Sequence, residues 1–463
     1  MHDEIRKEVR YVMNSVKIFV PYGAVGIGCT DEAFEAGLAM GPDIICSDAG
    51  STDSGPYYLG TGTGKYSISA VKRDLKKMVL GAHRLGVPMA IGSAGTCGSD
   101  QGVDEAVSII EEILQENHIT GKKIAKIYSE QGPAMMKQKY LEGKVTALKG
   151  APEISEKTFD ECEHIVGLAG AEPFMEAFRQ GADIIVCGRS TDTAIMAFYP
   201  LMNGCDPASS WHAAKILECG GLCTSAGAYG GAFAEVDEKG FTIRSVAKGS
   251  TVSPYSVSAH LLYENADPIH LTEPGVRIDT EHSVYTAVDE KSVRVEGTKI
   301  TYHPYTMKLE GSGKTGYQTI SLVGIRDRDI MKEPECWMSM VEEEGLRSLD
   351  KAGIDPGSYH VSLRAYGYNA VSGMPVPEGY VPNELGILLT VTADTPELSL
   401  QIAKAFNPLL LHQPFHPEKQ MPSFGFPFSP AEVQRGLIYE FKLYHTVSLD
   451  DPLELVRFVY EEV

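Results

Sequence analysis

The sequence lacks the marks of a membrane-spanning or secreted protein. Its 463 residues contain no apolar run near the ~20 residues that a helix needs to cross a bilayer. Residues 1–8 (MHDEIRKE) are charged and contain no apolar signal-peptide core. We therefore expect a cytoplasmic protein.

Positive charge is scarce, with 41 Lys and Arg residues against 62 Asp and Glu residues and a net charge of -21. This balance argues against binding to nucleic acid or to an anionic membrane. An anionic ligand must then be held by local Arg, Lys or backbone N–H groups against the overall field. We expect a small-molecule partner, and we expect the chain to form a homo-oligomer.

Cysteine pairs with metal-site or redox spacing are also missing. The chain has nine cysteines, an odd number, and no Cys-x-x-Cys pair. Cys219 and Cys223 are four residues apart, but no second pair completes a structural zinc site. For a cytoplasmic chain this predicts free thiols and no disulfide.

A complete nucleotide-binding glycine motif is absent as well. Gly26 and Gly28 precede a predicted helix, but Asp31 stands where the third glycine of Gly-x-Gly-x-x-Gly is required. The spacing of a phosphate-binding P-loop does not occur either. The pattern therefore argues against a nicotinamide or nucleoside-triphosphate cofactor.

The most informative stretch that is present is residues 181–193 (GADIIVCGRSTDT). Its β-branched apolar run is typical of a buried parallel strand, and a helix capped by Thr191 or Asp192 should follow. Gly188 lets a ligand approach the backbone, and Arg189 offers a fork of donors for a carboxylate or phosphate. The alternative is an ordinary strand–helix joint with Arg189 in a surface ion pair.

Similar units repeat along the first half of the chain. Apolar runs at residues 16–20, 43–46, 87–91, 123–128 and 184–187 each lead into a Gly, Ser, Thr or Asp loop and then a helix. This rhythm predicts an α/β fold with a doubly wound, mostly parallel sheet. Since ligands bind beyond the carboxyl ends of such strands, Asp48, Ser51, Thr96, Glu130 and Arg189 are expected to share a cleft.

Later segments change character. We expect an α/β domain at residues 1–221, an antiparallel-rich segment packed on it at 222–350, and a smaller C-terminal α+β domain at 351–463. A short helix is predicted at residues 4–14. Residues 248–250 and 308–314 are interpreted as small basic loops, either anion-binding or simply solvated turns.

The predicted helix that ends near Leu217 runs into Glu218, Cys219 and two glycines. A carboxylate at a helix C-terminus is electrostatically unfavourable, and such local inconsistency often marks a functional site. An ordinary glycine cap beside a solvated Glu218 explains the same residues. Both interpretations stay open at this point.

Several motifs together resemble the acyclic terpene utilisation family AtuA. They lie at residues 181–193, 217–221 (LECGG), 366–370 (YGYNA), 426–430 (FPFSP), 439–445 and 451–455. The resemblance implies a catabolic protein in the bacterial degradation of branched acids, encoded near genes of CoA-thioester or organic-acid metabolism. It supplies no list of catalytic residues.

The resulting hypothesis is a lyase of the hydratase/dehydratase type, without a redox cofactor, that acts on a small carboxylate or its CoA thioester. The candidate catalytic residues are Asp48, Asp192, Glu218 and Cys219, and the candidate substrate-binding residues are Ser51, Thr96, Gly188, Arg189, Ser190 and Thr191. Two alternatives stay open: an acyl-CoA hydrolase or carbon–carbon lyase with Cys219 as nucleophile, and a non-catalytic binding or assembly subunit.

Two further expectations concern ligands. Asp48, Asp53, Asp192 and Glu218 offer the oxygen atoms that Mg²⁺ prefers, although no spacing demands a metal. With Arg189 as the anion clamp, replacing it by Lys should lower activity strongly and leave thermal stability nearly unchanged, because charge is kept and only the fork is lost.

Overall fold

The computed structural model describes residues 15–263, 265–416, 418 and 424–463, so the helix predicted at 4–14 lies outside the described residues. The strands are β1 (Ser15–Val20), β2 (Ile44–Asp48), β3 (Met89–Gly92), β4 (Lys123–Tyr128), β5 (Val145–Ala147), β6 (His164–Gly167), β7 (Ile184–Cys187), β8 (Ala232–Asp237), β9 (Gly240–Ser245), β10 (His270–Glu273), β11 (Val276–Asp279), β12 (Val284–Asp289), β13 (Ser292–Glu296), β14 (Lys299–Tyr302), β15 (Thr306–Ile325), β16 (Tyr359–Tyr366), β17 (Leu385–Ala393), β18 (Phe424–Gly425), β19 (Glu432–Ser448) and β20 (Arg457–Glu462).

The helices are α1 (Asp31–Ala39), α2 (Pro56–Thr61), α3 (Ile68–Leu85), α4 (Asp100–Glu116), α5 (Pro133–Leu141), α6 (Glu156–Asp160), α7 (Glu172–Arg179), α8 (Asp192–Met202), α9 (Pro207–Leu217), α10 (Pro254–His260), α11 (Arg328–Lys332), α12 (Pro334–Lys351) and α13 (Pro396–His412). Short 3₁₀ turns occur at Thr52–Ser54, Gly220–Cys223, Gly227–Tyr229 and Pro356–Ser358. Within the described ranges, no helix is both long enough and apolar enough to cross a membrane.

Two compact units make up the chain. Unit 1 comprises Met1–Gly313 and Phe441–Val463, and unit 2 comprises Lys314–Glu440. Strands β15 and β19 are each divided between the units, because the chain leaves unit 1 at Gly313 and returns at Phe441. The division into three domains at residues 221 and 350 stays a prediction.

Unit 1 is built on a ten-stranded sheet of order β12-β13-β9-β8-β1-β2-β3-β7-β4-β20. The five predicted strands β1, β2, β3, β7 and β4 are parallel neighbours at its centre, which confirms the α/β fold class. Four of the antiparallel strands after residue 222, namely β8, β9, β13 and β12, extend this same sheet, since β8 pairs with β1 along all six of its residues, whereas β10, β11 and β14 form a separate three-stranded sheet. This pairing covers an edge that would otherwise stay open.

Both faces of the parallel strands are buried. In β1, Ile18 and Val20 belong to one apolar cluster, whereas Phe19 between them belongs to another. Helices α1, α3 and α4 contribute to the cluster of Phe19, and α7, α8 and α9 contribute to the opposite one. Such double coverage explains why these strands are continuous apolar runs in the sequence.

The four loops after β2, β3, β4 and β7 begin at one edge of the sheet. Their strands are mutually parallel, so their carboxyl ends point the same way. The predicted arrangement of these loops is confirmed, and their side chains form the site described below.

One local prediction is wrong. Residues 308–314 are not a basic loop but part of the long strand β15, whose residues 309–312 pair with β6. The glycines there serve close packing rather than a turn: a Cβ on Gly311 would lie 2.8 Å from the Leu443 side chain and from the Cys162 sulfur. Strand β6 itself has no counterpart in the sequence-based assignment.

Unit 2 contains an antiparallel sheet formed by β16, β17, β18 and the second half of β15. Helices α12 and α13 supply Trp337 and Phe406 to its apolar core. A cavity of about 390 Å³ lies beside the end of β16, lined by Met338 and by residues 363–365 and 369–373. None of its lining residues is among the predicted site residues.

Candidate functional site

The loop after β7 is held tightly against the loop after β3. A Cβ on Gly188 would lie 2.8 Å from the Gly98 carbonyl oxygen and 2.9 Å from Ser129 Oγ, so only glycine fits there. The Arg189 backbone N–H donates to the Gly98 carbonyl at 3.0 Å, and the Ser93 N–H donates to the Gly188 carbonyl at 2.9 Å. Gly188 is thus needed for close contact with the loops after β3 and β4.

The loop after β3 contains two residues in unusual backbone conformations. Ser93 and Thr96 have φ values of 50° and 75°, which non-glycine residues rarely adopt. The Thr96 hydroxyl is buried and accepts the Lys65 backbone N–H at 2.9 Å. Strained positions of this kind persist where the surroundings fix them, commonly at functional sites.

Arg189 is the centre of a buried ion-pair group that we call the Arg189 cluster (Arg189, Glu310, Lys308 and Thr52). The Arg189 side chain is only 5% exposed, and its Nε–H donates to Glu310 Oε2 at 3.1 Å. Lys308 Nζ lies 2.7 Å from the other Glu310 oxygen, and the Thr52 hydroxyl donates to Oε2 at 2.8 Å. Burial alone would raise the pKa of Glu310, but Arg189 and Lys308 outweigh it and lower the pKa to about 2.

The rest of the Arg189 guanidinium is also engaged. Its Nη1 donates to Ser93 Oγ at 2.9 Å and to the Ser190 carbonyl at 3.2 Å, and it lies 3.5 Å from Asp192 Oδ1. Nη2 takes part in none of these contacts. If Arg189 binds an anionic ligand, Nη2 is the nitrogen that would donate to it. Glu310 already offsets the positive charge of Arg189.

Asp48 lies at the carboxyl end of β2 and is buried. Its Oδ2 accepts the Gly50 N–H at 2.7 Å, whereas Oδ1 is buried without a hydrogen-bond partner among the described residues. Burial and the neighbouring Asp192 raise the pKa of Asp48 well above its usual value, despite the opposing charge of Arg189. An unpartnered carboxyl oxygen is tolerated best when the group is protonated.

Asp192 begins α8, directly after the cap residue Thr191, whose hydroxyl accepts the Ala194 N–H at 3.2 Å. Its side chain is 33% exposed, yet burial raises its pKa to about 6, against the attraction of Arg189. Of the predicted acid/base residues Asp48, Asp192 and Glu218, Asp192 has the most exposed side chain.

A second group, which we call the Thr193 cluster (Thr193, Glu218, Glu273 and Lys215), lies beside Asp192. The Thr193 hydroxyl is 2.7 Å from Glu218 Oε2 and 2.8 Å from Glu273 Oε1. Lys215 Nζ is 2.8 Å from Glu218 Oε1, so the carboxylate that ends α9 is ion-paired inside the protein. Burial raises the pKa of both Glu218 and Glu273, although Lys215 opposes this.

The remaining predicted residues take more local roles. The Ser51 hydroxyl bonds Asp53 Oδ2 at 2.8 Å in the turn after β2, and Ser190 Oγ is buried without a hydrogen-bond partner in the described part of the chain. Cys219 is a half-buried thiol next to Glu218. Glu130 belongs to a different group, since its Oε1 is 2.6 Å from His164 Nδ1. No disulfide joins any of the nine cysteines.

Sequence reasoning missed Glu310, Glu273 and Lys215. Lys215 carried a usable signal, because it precedes Glu218 by three residues and therefore shares its helix face. Glu310 and Glu273 come from strands 121 and 80 residues beyond their partners, and nothing local marks them.

The four proposed magnesium ligands do not form a compact oxygen cage. Among the described residues, the group of three metal-ligating side chains with atoms within 4.8 Å of one another is His270, Asp279 and Glu281, at the surface of a different sheet. The four carboxylates are instead engaged in the separate contacts described above.

The fold and this edge of the sheet define a doubly wound α/β protein with a buried, ionisable strand-end site. A family model described as acyclic terpene utilisation family protein AtuA matches residues 66–423, and the chain belongs to this family. The matched range contains residues 181–193, 217–221 and 366–370, whereas Asp48, Ser51 and the motifs after residue 425 lie outside it. No curated protein and no solved structure matches the chain.

Proposed function

We propose that the protein is a catabolic enzyme that acts by acid/base chemistry on a small carboxylate or its CoA thioester, as a lyase of the hydratase/dehydratase type. Family membership supports a place in catabolism. The observation that carries the acid/base assignment is Asp192, a one-third exposed carboxyl with a pKa near 6, directly beside the Thr193 cluster.

Elimination of water from a 3-hydroxyacyl compound needs a base for the α-proton and an acid for the leaving hydroxyl. A pKa of about 6 leaves Asp192 mostly ionised at neutral pH, which suits the base. Glu218 has a raised pKa and suits the acid. Asp192 would take the proton from the α-carbon as the C–O bond breaks, and Glu218 would give its proton to the departing oxygen.

Arg189 contributes indirectly in this proposal. Its Nη1 lies 3.5 Å from Asp192 and its Nε–H is committed to Glu310, so it positions the base and favours its ionised form. The Nη2 edge is the part of Arg189 available to a substrate carboxylate or thioester oxygen. Ser190 Oγ and Asp48 Oδ1, both buried without a partner in the described residues, are polar atoms nearby that a ligand can satisfy.

The test is proton exchange at the α-carbon in D₂O. A panel of 3-hydroxy acids, their CoA thioesters and the matching 2-enoyl compounds is incubated with the protein, and deuterium incorporation is followed by NMR. We expect incorporation and dehydration with wild type and a loss of about 10²-fold or more in Asp192→Asn. Asp350→Asn, an exposed residue of unit 2, is the matched control.

The same panel separates the alternatives. Release of free CoA thiol without α-exchange identifies an acyl-CoA hydrolase instead. Wild-type protein that neither exchanges nor dehydrates any member contradicts the proposal, and so does an Asp192→Asn variant with full activity.

A further inference from the structure

Thr193 lies between two buried carboxyl groups that come from separate elements. Glu218 caps the end of α9, Glu273 ends β10, and Thr193 is in the first turn of α8. Thr193 is 1% exposed and Glu273 is 6% exposed. Water therefore has little access to the contacts among the three residues.

The two contacts of the Thr193 hydroxyl cannot both be donated by Thr193. Its oxygen is 2.7 Å from Glu218 Oε2 and 2.8 Å from Glu273 Oε1, and both are ordinary O–H···O distances. A hydroxyl has one hydrogen, so it donates to one carboxylate and can only accept at the other contact. The proton of that second bond must then sit on a carboxyl group, since two unprotonated oxygens at this distance repel each other.

The surroundings show which carboxyl holds the proton. Lys215 Nζ is 2.8 Å from Glu218 Oε1, which offsets part of the burial that raises the pKa of Glu218 and favours an anion at Glu218 over one at Glu273. Glu273 Oε2, in contrast, is buried and has no hydrogen-bond partner within the described residues, and the side chains that hydrogen-bond the Glu273 carboxyl are the neutral hydroxyls of Thr191 and Thr193 rather than a cation. An ionised carboxylate in that setting would leave one oxygen buried without a hydrogen-bond donor, with only the electrostatic effect of Lys215 to offset its charge.

We propose that Glu273 is a neutral carboxylic acid that donates to Thr193, and that Thr193 donates to ionised Glu218, so the three residues form a proton relay. The raised pKa of Glu273 is consistent with this. The catalytic meaning of the relay rests on the proposed function, whereas its existence does not.

The transfer along the relay balances without any other reactant. The O–H bond of Glu273 breaks as its proton joins Thr193 Oγ1, and the original Thr193 proton moves to Glu218 Oε2. Thr193 is unchanged, Glu273 becomes the anion, and Glu218 becomes the acid that the proposed dehydration needs.

The charged groups that face the relay come from several elements. Lys215 of α9 interacts with both glutamates and with Asp192 of α8, and His260 of α10 faces Lys215. Arg189 and Asp53 act on Asp192. Lys215 thus faces three carboxyls, of which Arg189 also acts on Asp192, and a proton retained on one of them lowers the excess of negative charge.

Infrared difference spectroscopy at neutral pH tests the protonated state without a substrate. We expect wild type to show a protonated-carboxyl C=O band, sensitive to D₂O, that disappears in Glu273→Gln and remains in the exposed control Glu290→Gln. If Glu273→Gln loses no such band, the relay is refuted, whatever the result of the exchange assay. Magnesium binding by calorimetry that is lost in both Glu273→Gln and Thr193→Val also overturns it, because a cation would then occupy the proton's place.

The transfer step is tested by a pair of variants at Thr193. Thr193→Val removes the hydroxyl at similar size, and Thr193→Ser restores it. On a substrate that wild type turns over, we expect Thr193→Val to lower kcat by at least about tenfold with little change in KM, and Thr193→Ser to recover most of the loss. Equal kcat in both variants refutes transfer through Thr193. Absence of turnover in wild type refutes the proposed function and leaves the infrared result to decide the relay.

Discussion

The Arg189 cluster and the Thr193 cluster lie at the same edge of the sheet but have opposite charge balance. In the first, two cations, Arg189 and Lys308, face the carboxylate of Glu310 and keep its pKa near 2. In the second, a single cation, Lys215, faces Glu218 and Glu273, and both carboxyls have raised pKa values.

This difference suits the two clusters to different roles, the Arg189 cluster to stabilising the fold and the Thr193 cluster to proton transfer. A carboxylate that stays ionised at every ordinary pH cannot exchange protons with a substrate, so the Arg189 cluster is suited to holding three loops and β15 together. Carboxyls with raised pKa values can gain and lose protons near neutral pH. The comparison therefore supports the proposal that the Thr193 cluster and Asp192 hold the acid/base groups.

The largest effect is expected from Glu310→Gln. This change removes the carboxylate that Arg189 and Lys308 share and leaves Arg189 with its 3.5 Å contact to Asp192. Breaking a buried pair from one side costs about 3–5 kcal/mol of unfolding free energy. Urea denaturation measures it. Glu344→Gln is the control, because its pair with Arg347 is exposed by 38% and 58% and should contribute under about 1 kcal/mol. Equal losses in the two variants would mean that the Arg189 cluster is not a structural ion pair.

Arg189→Lys should also lower stability, which differs from the outcome expected from the sequence alone. Lysine keeps the charge but cannot bond Glu310, Ser93 and the Ser190 carbonyl together. We expect a loss of about 1–3 kcal/mol in the free energy of unfolding. The exposed pair of Arg84 with Glu35 offers the control Arg84→Lys, which should change little. Unchanged stability together with lost activity would return Arg189 to the role of anion clamp.

The pH dependence of stability should have opposite signs for Glu310, in the Arg189 cluster, and for Asp192, beside the Thr193 cluster. The lowered pKa of Glu310, about 2 instead of 4.5, gives stability that is present above pH 4.5 and lost as pH falls toward 2. The raised pKa of Asp192, about 6 instead of 3.8, makes the folded state bind the extra proton, so its contribution falls as pH rises from 3.8 to 6.

Asp192→Asn isolates the second effect. The stability of this variant relative to wild type should increase between pH 3.8 and about 6 and then level off, because asparagine has no charge to desolvate. Denaturant titrations at a series of pH values provide the curve. A flat difference would show that Asp192 has an ordinary pKa, and its assignment as the base would lose its main support.

The sequence predicts the centre of the fold because burial on both faces requires uninterrupted apolar runs. Residues 184–187 and the strands before them carry that pattern, and their common direction follows from the alternation with helices. The antiparallel strands are also predictable from their alternation. Their joining to β1 is not, because an unpaired edge of the parallel sheet is a property of the assembled fold.

The site was predictable only in part for a related reason. Arg189, Asp192 and Glu218 stand beside helix boundaries, where glycine and cap residues draw attention to them. Glu310 and Glu273 stand within ordinary strand sequence, and their importance comes from partners 121 and 80 residues away. Sequence pattern finds the positions that local backbone geometry constrains, and it misses the counter-ions that the folded chain brings to them.

The smallest effects on stability are expected at the neighbouring residues Ser51 and Thr52, whose hydroxyl groups can be compared directly. The sequence favours Ser51 as a ligand-binding residue, but its hydroxyl bonds Asp53 Oδ2 in a turn, whereas the buried Thr52 hydroxyl donates to Glu310 Oε2 at 2.8 Å. Thr52→Val should therefore cost about 1.5 kcal/mol of unfolding free energy, the lower end for removal of a buried hydrogen bond to a charged group. Ser51→Ala should change stability by no more than about 0.5 kcal/mol, as is usual for partly exposed positions. Paired urea titrations measure both free-energy losses, and the critical result is which of the two is larger. A larger loss for Ser51→Ala would mean that the turn after β2, rather than the hydrogen bond of Thr52 to Glu310, stabilises this edge of the Arg189 cluster.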